Sequence, residues 1–229
     1  MSNFASLSQK LGIDFKNSSL IQQAFVHRSY LNETKKIPFS NERLEFLGDS
    51  ILSFLVSDYL YTNYPNFPEG ELTNLRSSMV KTTTLAQISQ ELTLGQYLLL
   101  SKGEEEGGGR ENPSILADTF EALLGAVYID QGLPAVKNLL EKFLFPRLAT
   151  ILSQKTYKDA KSIFQELVQE SLKISPVYTV MAEKGPDHAK EFTVGVFVNN
   201  CLRATGVGKS KQEAEMQAAK SALEKWKEK

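Results

Sequence analysis

The chain has 229 residues, 41% of them hydrophobic and 23% charged, which fits two unequal globular domains with a real core and excludes a disordered polymer. No run approaches the ~20 apolar residues of a membrane span. The first ten residues lack the apolar centre of a signal peptide, and the lone Cys201 excludes an internal disulfide, so a cytoplasmic protein is expected.

From Leu7 to about Leu152 the pattern is helical, with apolar residues at three- and four-residue spacing over Leu20–Tyr30, Glu42–Leu60, Leu72–Glu91, Ser114–Asp130 and Leu133–Leu152. Gly and Pro fall between these segments, and no alternating strand is evident. The polar stretch 153–159 reads as a linker. After it the period changes. A helix over Ala160–Leu172 precedes strands over Val177–Ala182, Phe192–Val198 and Cys201–Val207, with Asn199 and Asn200 suited to the hairpin turn between the last two. A closing helix from Ser210 to about Lys227 carries Ala214, Ala218, Ala222 and Trp226 on one stripe. The expected fold is therefore an all-α domain over 1–152 followed by a small α+β domain, α-β-β-β-α, over 160–229.

Charge divides the same way. Residues 1–153 carry 13 Lys and Arg against 17 Asp and Glu, and residues 154–229 carry 13 against 10. An acidic body with a basic tail points to a metal-binding or catalytic part joined to one that meets a polyanion.

Within the body, Glu42, Glu45 and Asp49 stand at i, i+3 and i+7, within about 60° of one another on a helix. Asp118 and Glu121 are the only charges between Ile115 and Ile129, in an otherwise apolar run. Buried unpaired carboxylates cost several kcal/mol or stay protonated. The nearby cations in sequence, Arg43 and Arg110, are too few for all of them, so a divalent cation is the economical solution. Both histidines, His27 and His188, lie away from these acids in sequence, so an all-oxygen site for Mg²⁺ or Mn²⁺ is expected. Taken alone, Glu42 reads equally well as a first-turn acid behind a Ser40 or Asn41 cap, and Asp49 as a solvent-facing residue. Glu69 and Glu71 read as acids complementing a helix dipole, Glu104–Glu106 as solvated charge in a Gly-rich loop, and His27 as a hydrogen-bonded helix residue.

The segment Asn41-Glu-Arg-Leu-Glu-Phe-Leu-Gly-Asp-Ser50 resembles the signature decapeptide of the ribonuclease III family. The likeness extends through Gln23–Ser29, Pro68-Glu-Gly70 and Ile115–Ala122, and on into the tail. The resemblance implies a nuclease domain in which Glu45, Asp118 and Glu121 hold the metal, with Asp49, Glu121, Glu42 and Glu69 in catalytic roles. It also implies a homodimer with Phe46 in the interface. The implied activity is Mg²⁺-dependent cleavage of double-stranded RNA to 5′-phosphate and 3′-hydroxyl ends, with Mn²⁺ as an alternative ion and ribosomal and other RNA processing as the setting.

The tail resembles the double-stranded RNA-binding domain, whose members read A-form shape with little base specificity. By that likeness Ser162, Gln165 and Glu166 read a minor groove, His188 in the loop after the first strand reads the next, and Lys209, Ser210 and Lys211 clamp phosphates at the start of the last helix. Gln212 stands where many members carry a second basic residue, so a weaker grip is expected there. Duplex RNA is thus the expected partner, with no membrane and no small-molecule substrate. Two other readings compete: a non-cleaving RNA-binding scaffold on a degenerate nuclease domain, which the intact acidic set disfavours, and a helical carboxylate–metal protein unrelated to RNA, which leaves the tail without a role.

Overall fold

The computed structural model describes residues 4–154, 157, 160–186 and 190–227. The chain divides into two compact units, 1–157 and 158–229. Most of the expected linker lies outside the described residues, as does His188, while Ser153 and Gln154 belong to a helix.

The first unit is helical. Its elements are α1 (Ala5–Leu11), α2 (Ser18–Ala24), α3 (Glu42–Asn63), α4 (Glu69–Val80), α5 (Thr82–Glu91), α6 (Lys102–Glu106), α7 (Pro113–Gln131), α8 (Leu133–Phe143) and α9 (Arg147–Gln154), with short 3₁₀ turns between some of them. Apart from α6, their apolar faces meet in one core that includes Phe25, Leu52, Leu75, Met79, Phe120, Leu123 and Leu140. A satellite cluster of Ala86, Leu98, Leu100, Ile115 and Leu116 seals the N-terminal end of α7.

Three expected helices are interrupted. Leu20–Tyr30 stops at Ala24, because Val26 pairs with Leu99 in a parallel bridge and His27 opens a 3₁₀ turn over Arg28–Asn32. Leu72–Glu91 breaks at Lys81, whose extended backbone separates α4 from α5. Leu133–Leu152 breaks after Phe143. Among the described residues, no helix is long and apolar enough to cross a membrane.

The crossing of α3 and α7 is unusually close. A Cβ added at Gly48 would lie 1.8 Å from the Glu121 carbonyl oxygen, and one at Gly125 would lie 2.2 Å from that of Leu44. Glycine at both positions lets the two backbones touch. The register of α7 is set at its start, where Pro113 occupies the first turn and the Asn112 side chain accepts hydrogen bonds from the N–H groups of Ser114 (2.9 Å) and Ile115 (3.5 Å).

The second unit comprises α10 (Ala160–Leu172), β1 (Val177–Lys184), β2 (Glu191–Val198), β3 (Cys201–Gly208) and α11 (Lys211–Lys227). The strands form one antiparallel sheet in the order β1-β2-β3. Asn199 and Asn200 both take positive φ (52° and 59°) in the tight turn between β2 and β3. Val194, Val196 and Val198 alternate onto the inner face, as their period requires. There the latter two join Phe164, Val168, Ala218 and Ala222 in the core, with Trp226 edge-on to Phe164.

Candidate active site

Because α3 and α7 touch, their acids converge. Glu45, Asp118 and Glu121 each offer a carboxylate oxygen within 4.8 Å of the others, the one such group of three among the described residues. All three are half-buried. Burial first, then the charges of Asp49, Asp118 and Glu45, push Glu121 up to about 8. Burial likewise raises Glu45, reinforced by Asp118, Glu42 and Asp49. Asp118 is raised by burial and partly relieved by the nearby His27. Three acids held this way repel one another, and a cation among them would remove that cost.

A cleft of about 410 Å³ opens beside the group, lined by its Glu45 and Asp118 together with Glu42, His27, Arg28 and Glu104, with Asn112 and Ser114 beyond. Glu42 is exposed at its rim, accepts a hydrogen bond from Ser40 Oγ (2.8 Å) and lies 3.9 Å from Arg28. Asp49, a turn beyond Glu45 on α3, is exposed and close enough to raise Glu121. Glu69 is placed differently. It stands exposed in the first turn of α4, accepting from Thr73 Oγ1 (3.0 Å), outside the group of three.

Two cleft residues carry more than their sequence context indicates. His27 belongs to no α-helix: its N–H donates to the Leu99 carbonyl (3.1 Å) and Nδ1 lies 2.8 Å from Ser29 Oγ, which fixes the ring beside Asp118. Glu104 is half-buried in the cleft and not merely solvated. Its N–H donates to the Ser101 side chain (3.3 Å), and this Ser-x-x-Glu spacing is the signal that a capped helical turn carries it inward.

The donor chemistry fits a hard divalent cation. An octahedral Mg²⁺ shell with oxygens at about 2.1 Å spaces its donors about 3 to 4 Å apart, close to the spread of these carboxylates. An all-oxygen anionic set favours hard divalent cations over softer ions.

A second feature of this unit is apolar. Phe46 on α3 is 77% exposed, beside Phe39 (59%) and Ile129 (52%), and these residues line a groove of about 630 Å³ with Leu20, Leu44 and Leu47. Aromatic exposure on this scale marks an interaction surface.

In the second unit, Gln165 and Glu166 are exposed on α10 and Ser162 half-buried, while Phe164 and Val168 point inward. Lys209, Ser210 and Lys211 are exposed together at the start of α11. A capping box orders them: Ser210 Oγ accepts from the Glu213 N–H (3.1 Å) and Glu213 Oε2 accepts from the Lys209 N–H (2.7 Å).

Comparison with known proteins follows this division. The Ribonuclease-III-like family matches residues 17–148 and the double-stranded RNA binding motif matches residues 160–226. The chain is 47% identical over 220 residues to Ribonuclease 3 of Pelotomaculum thermopropionicum, covering 96% of this chain and 91% of that one. It is 47% identical over 226 residues to Ribonuclease 3 of Bacillus cytotoxicus, covering 98% and 92%. The nuclease domain of ribonuclease III from Campylobacter jejuni, a structure described for flexibility in the region involved in its dimer formation, superposes with a TM-score of 0.59 at 38% identity. That match covers 63% of this chain and 99% of that domain. With two family matches in tandem and relatives this similar over nearly their full length, the chain belongs to the ribonuclease III family of endoribonucleases.

Proposed function

We propose that the protein is a Mg²⁺-dependent endonuclease of double-stranded RNA, acting as a homodimer in the cytoplasm on ribosomal RNA precursors and other transcripts. The observation that carries this reading is the convergence of Glu45, Asp118 and Glu121, the first two lining an open cleft, in a chain that also bears a duplex-RNA-binding motif. Residues 1–152 perform the chemistry, 153–159 join the parts, and 160–229 supply affinity.

In this proposal the three clustered carboxylates hold the ion. When bound, Mg²⁺ supplies Lewis-acid chemistry, activating water and offsetting charge on the phosphate and the leaving 3′-oxygen. Asp49 adds negative charge beside Glu121 and so strengthens the site for a cation. Glu42, held by Ser40 and Arg28 at the rim, orients the approach to the cleft. Glu69 enters the proposal on the family resemblance alone, and a Glu69→Gln variant tests it separately. Ser162, Gln165 and Glu166 on one helix and Lys209, Ser210 and Lys211 on the other contact the duplex, and His188, outside the described residues, joins them.

The deciding experiment incubates the purified chain with long duplex RNA in Mg²⁺ and in EDTA. Cleavage to 5′-phosphate ends in Mg²⁺ alone is expected. Duplex binding without cleavage in either condition would instead favour a scaffold.

A further inference from the structure

We propose that Glu183 is a positioning residue for RNA binding: it and Phe192 form a seat that holds the Lys211 ammonium in place before the duplex arrives. The inference rests on the reading of Lys211 as a phosphate clamp.

The seat is built from neighbouring strands. Glu183 on β1 and Phe192 on β2 are direct cross-strand partners. Lys211 Nζ lies 3.5 Å from Glu183 Oε1 and 5.6 Å from the centre of the Phe192 ring. Its backbone end is fixed as well, because the Ser210–Glu213 capping box sets the start of α11. A lysine stem of four rotatable bonds is thus held at both ends. Its side chain is still 60% exposed, and an ammonium has three donors, so engagement with Glu183 leaves donors for a phosphate.

Two physical effects of Glu183 oppose each other. Its charge repels the RNA backbone, which weakens binding. Its contact with Lys211 removes side-chain freedom that binding would otherwise have to remove. An exposed ion pair contributes little to folding, so the contact has no large stabilising role to explain it. The aromatic face and the capped helix around the same lysine favour preorganisation as the larger effect.

The sign of a neutral substitution separates the two. In EDTA, which prevents cleavage, gel-shift titrations of a blunt RNA duplex compare the full-length chain with Glu183→Gln, Lys211→Gln and the double variant. Positioning predicts that Glu183→Gln weakens binding by roughly three- to tenfold, although it removes a negative charge. It also predicts an unchanged salt slope, because the phosphate contact still forms once the duplex is bound. In the Lys211→Gln background the same change should not weaken binding. Phe192→Leu, which keeps the strand and removes the ring, should act like Glu183→Gln. Tighter binding by Glu183→Gln, or equal weakening in both backgrounds, overturns the proposal while leaving the clamp intact. If Lys211→Gln itself binds normally, the clamp assignment fails, and the positioning role with it.

Discussion

Gly48 and Gly125 face one another where α3 crosses α7, each lying against the backbone of the opposite helix. Through that contact the fold becomes a site, since Glu45 and Asp49 flank Gly48 on one helix while Asp118 and Glu121 precede Gly125 on the other. Carboxylates do not draw these helices together. The missing side chains do, and the apolar burial of α7 pays the electrostatic cost.

Gly125→Ala should therefore damage both stability and metal binding. The new methyl would meet the Leu44 carbonyl at 2.2 Å, and overpacking of this kind costs about 1–3 kcal/mol. Separation of the helices would also spread the acids. Gly70→Ala, at a helical position with open space around it, is the control and should be neutral or slightly stabilising. Thermal unfolding and calorimetric Mg²⁺ titration of both variants check this. Normal metal affinity in Gly125→Ala would show that the close crossing is not what sets the site.

Glu121→Gln keeps the side chain's size while removing one anionic ligand of the proposed ion. Duplex binding should persist near its original strength, because the second unit does not depend on Glu121 and one fewer negative charge favours RNA approach. Cleavage in Mg²⁺ should fall by orders of magnitude, as for the loss of a contribution specific to the transition state. Gel-shift and single-turnover cleavage measured on one preparation separate the two effects. Cleavage at the unaltered rate would remove Glu121 from the site.

The raised proton affinity of Glu121 gives a pH dependence with a definite sign. Its carboxyl is pushed from the ordinary 4.5 up to about 8 in the folded chain without metal. Protonation therefore favours the folded state. The associated stability is fully present below about 4.5, declines as pH rises and is lost above about 8. A metal ligand must be deprotonated, so Mg²⁺ binding releases a proton in that window and its affinity should climb with pH, levelling above the folded value. Calorimetry in buffers of different ionisation heat, at roughly pH 6.5 and roughly pH 9, reads proton release directly. Equal apparent enthalpies in all buffers at the lower pH would contradict it.

The sequence made the acid spacing legible because helical periodicity is a local property: acids at i, i+3 and i+7 on α3 and at i, i+3 on α7 needed no tertiary information. Features that depend on distant partners were not legible. His27 lies in an apolar-periodic segment, yet Val26 pairs with Leu99, more than seventy residues away, and the backbone is drawn out of helix. Lys81 breaks a periodic run without Gly or Pro. The threonines after it favour a fresh start, and Thr84 Oγ1 donates to the Ser78 carbonyl (2.9 Å) across the break. Glu104 looked solvated because its glycine neighbours mark a loop, whereas Ser101 caps a short helix that turns it into the cleft.

The exposed apolar face of the first unit bears on assembly. Cutting both strands of a duplex calls for two sites related by the duplex's local two-fold, and a C₂ dimer supplies them through one self-complementary surface. Phe46, Phe39 and Ile129 present an exposed apolar surface on the same unit as the acidic cleft, beside a groove with room for a partner's side chain. In an isologous interface every contact occurs twice. At about 1.5–3 kcal/mol per buried phenylalanine side chain, Phe46→Ala should cost about 3–6 kcal/mol per dimer, roughly two to four orders of magnitude in dimer Kd. Because the side chain is 77% exposed in one copy, the fold of that copy should be nearly unaffected, so circular dichroism should stay unchanged while the sedimentation coefficient falls to that of a monomer. RNA cleavage should then depend steeply on protein concentration. Sedimentation of the unaltered chain as a monomer at micromolar concentration, with full cleavage activity, would sink the dimer and the role given to Phe46.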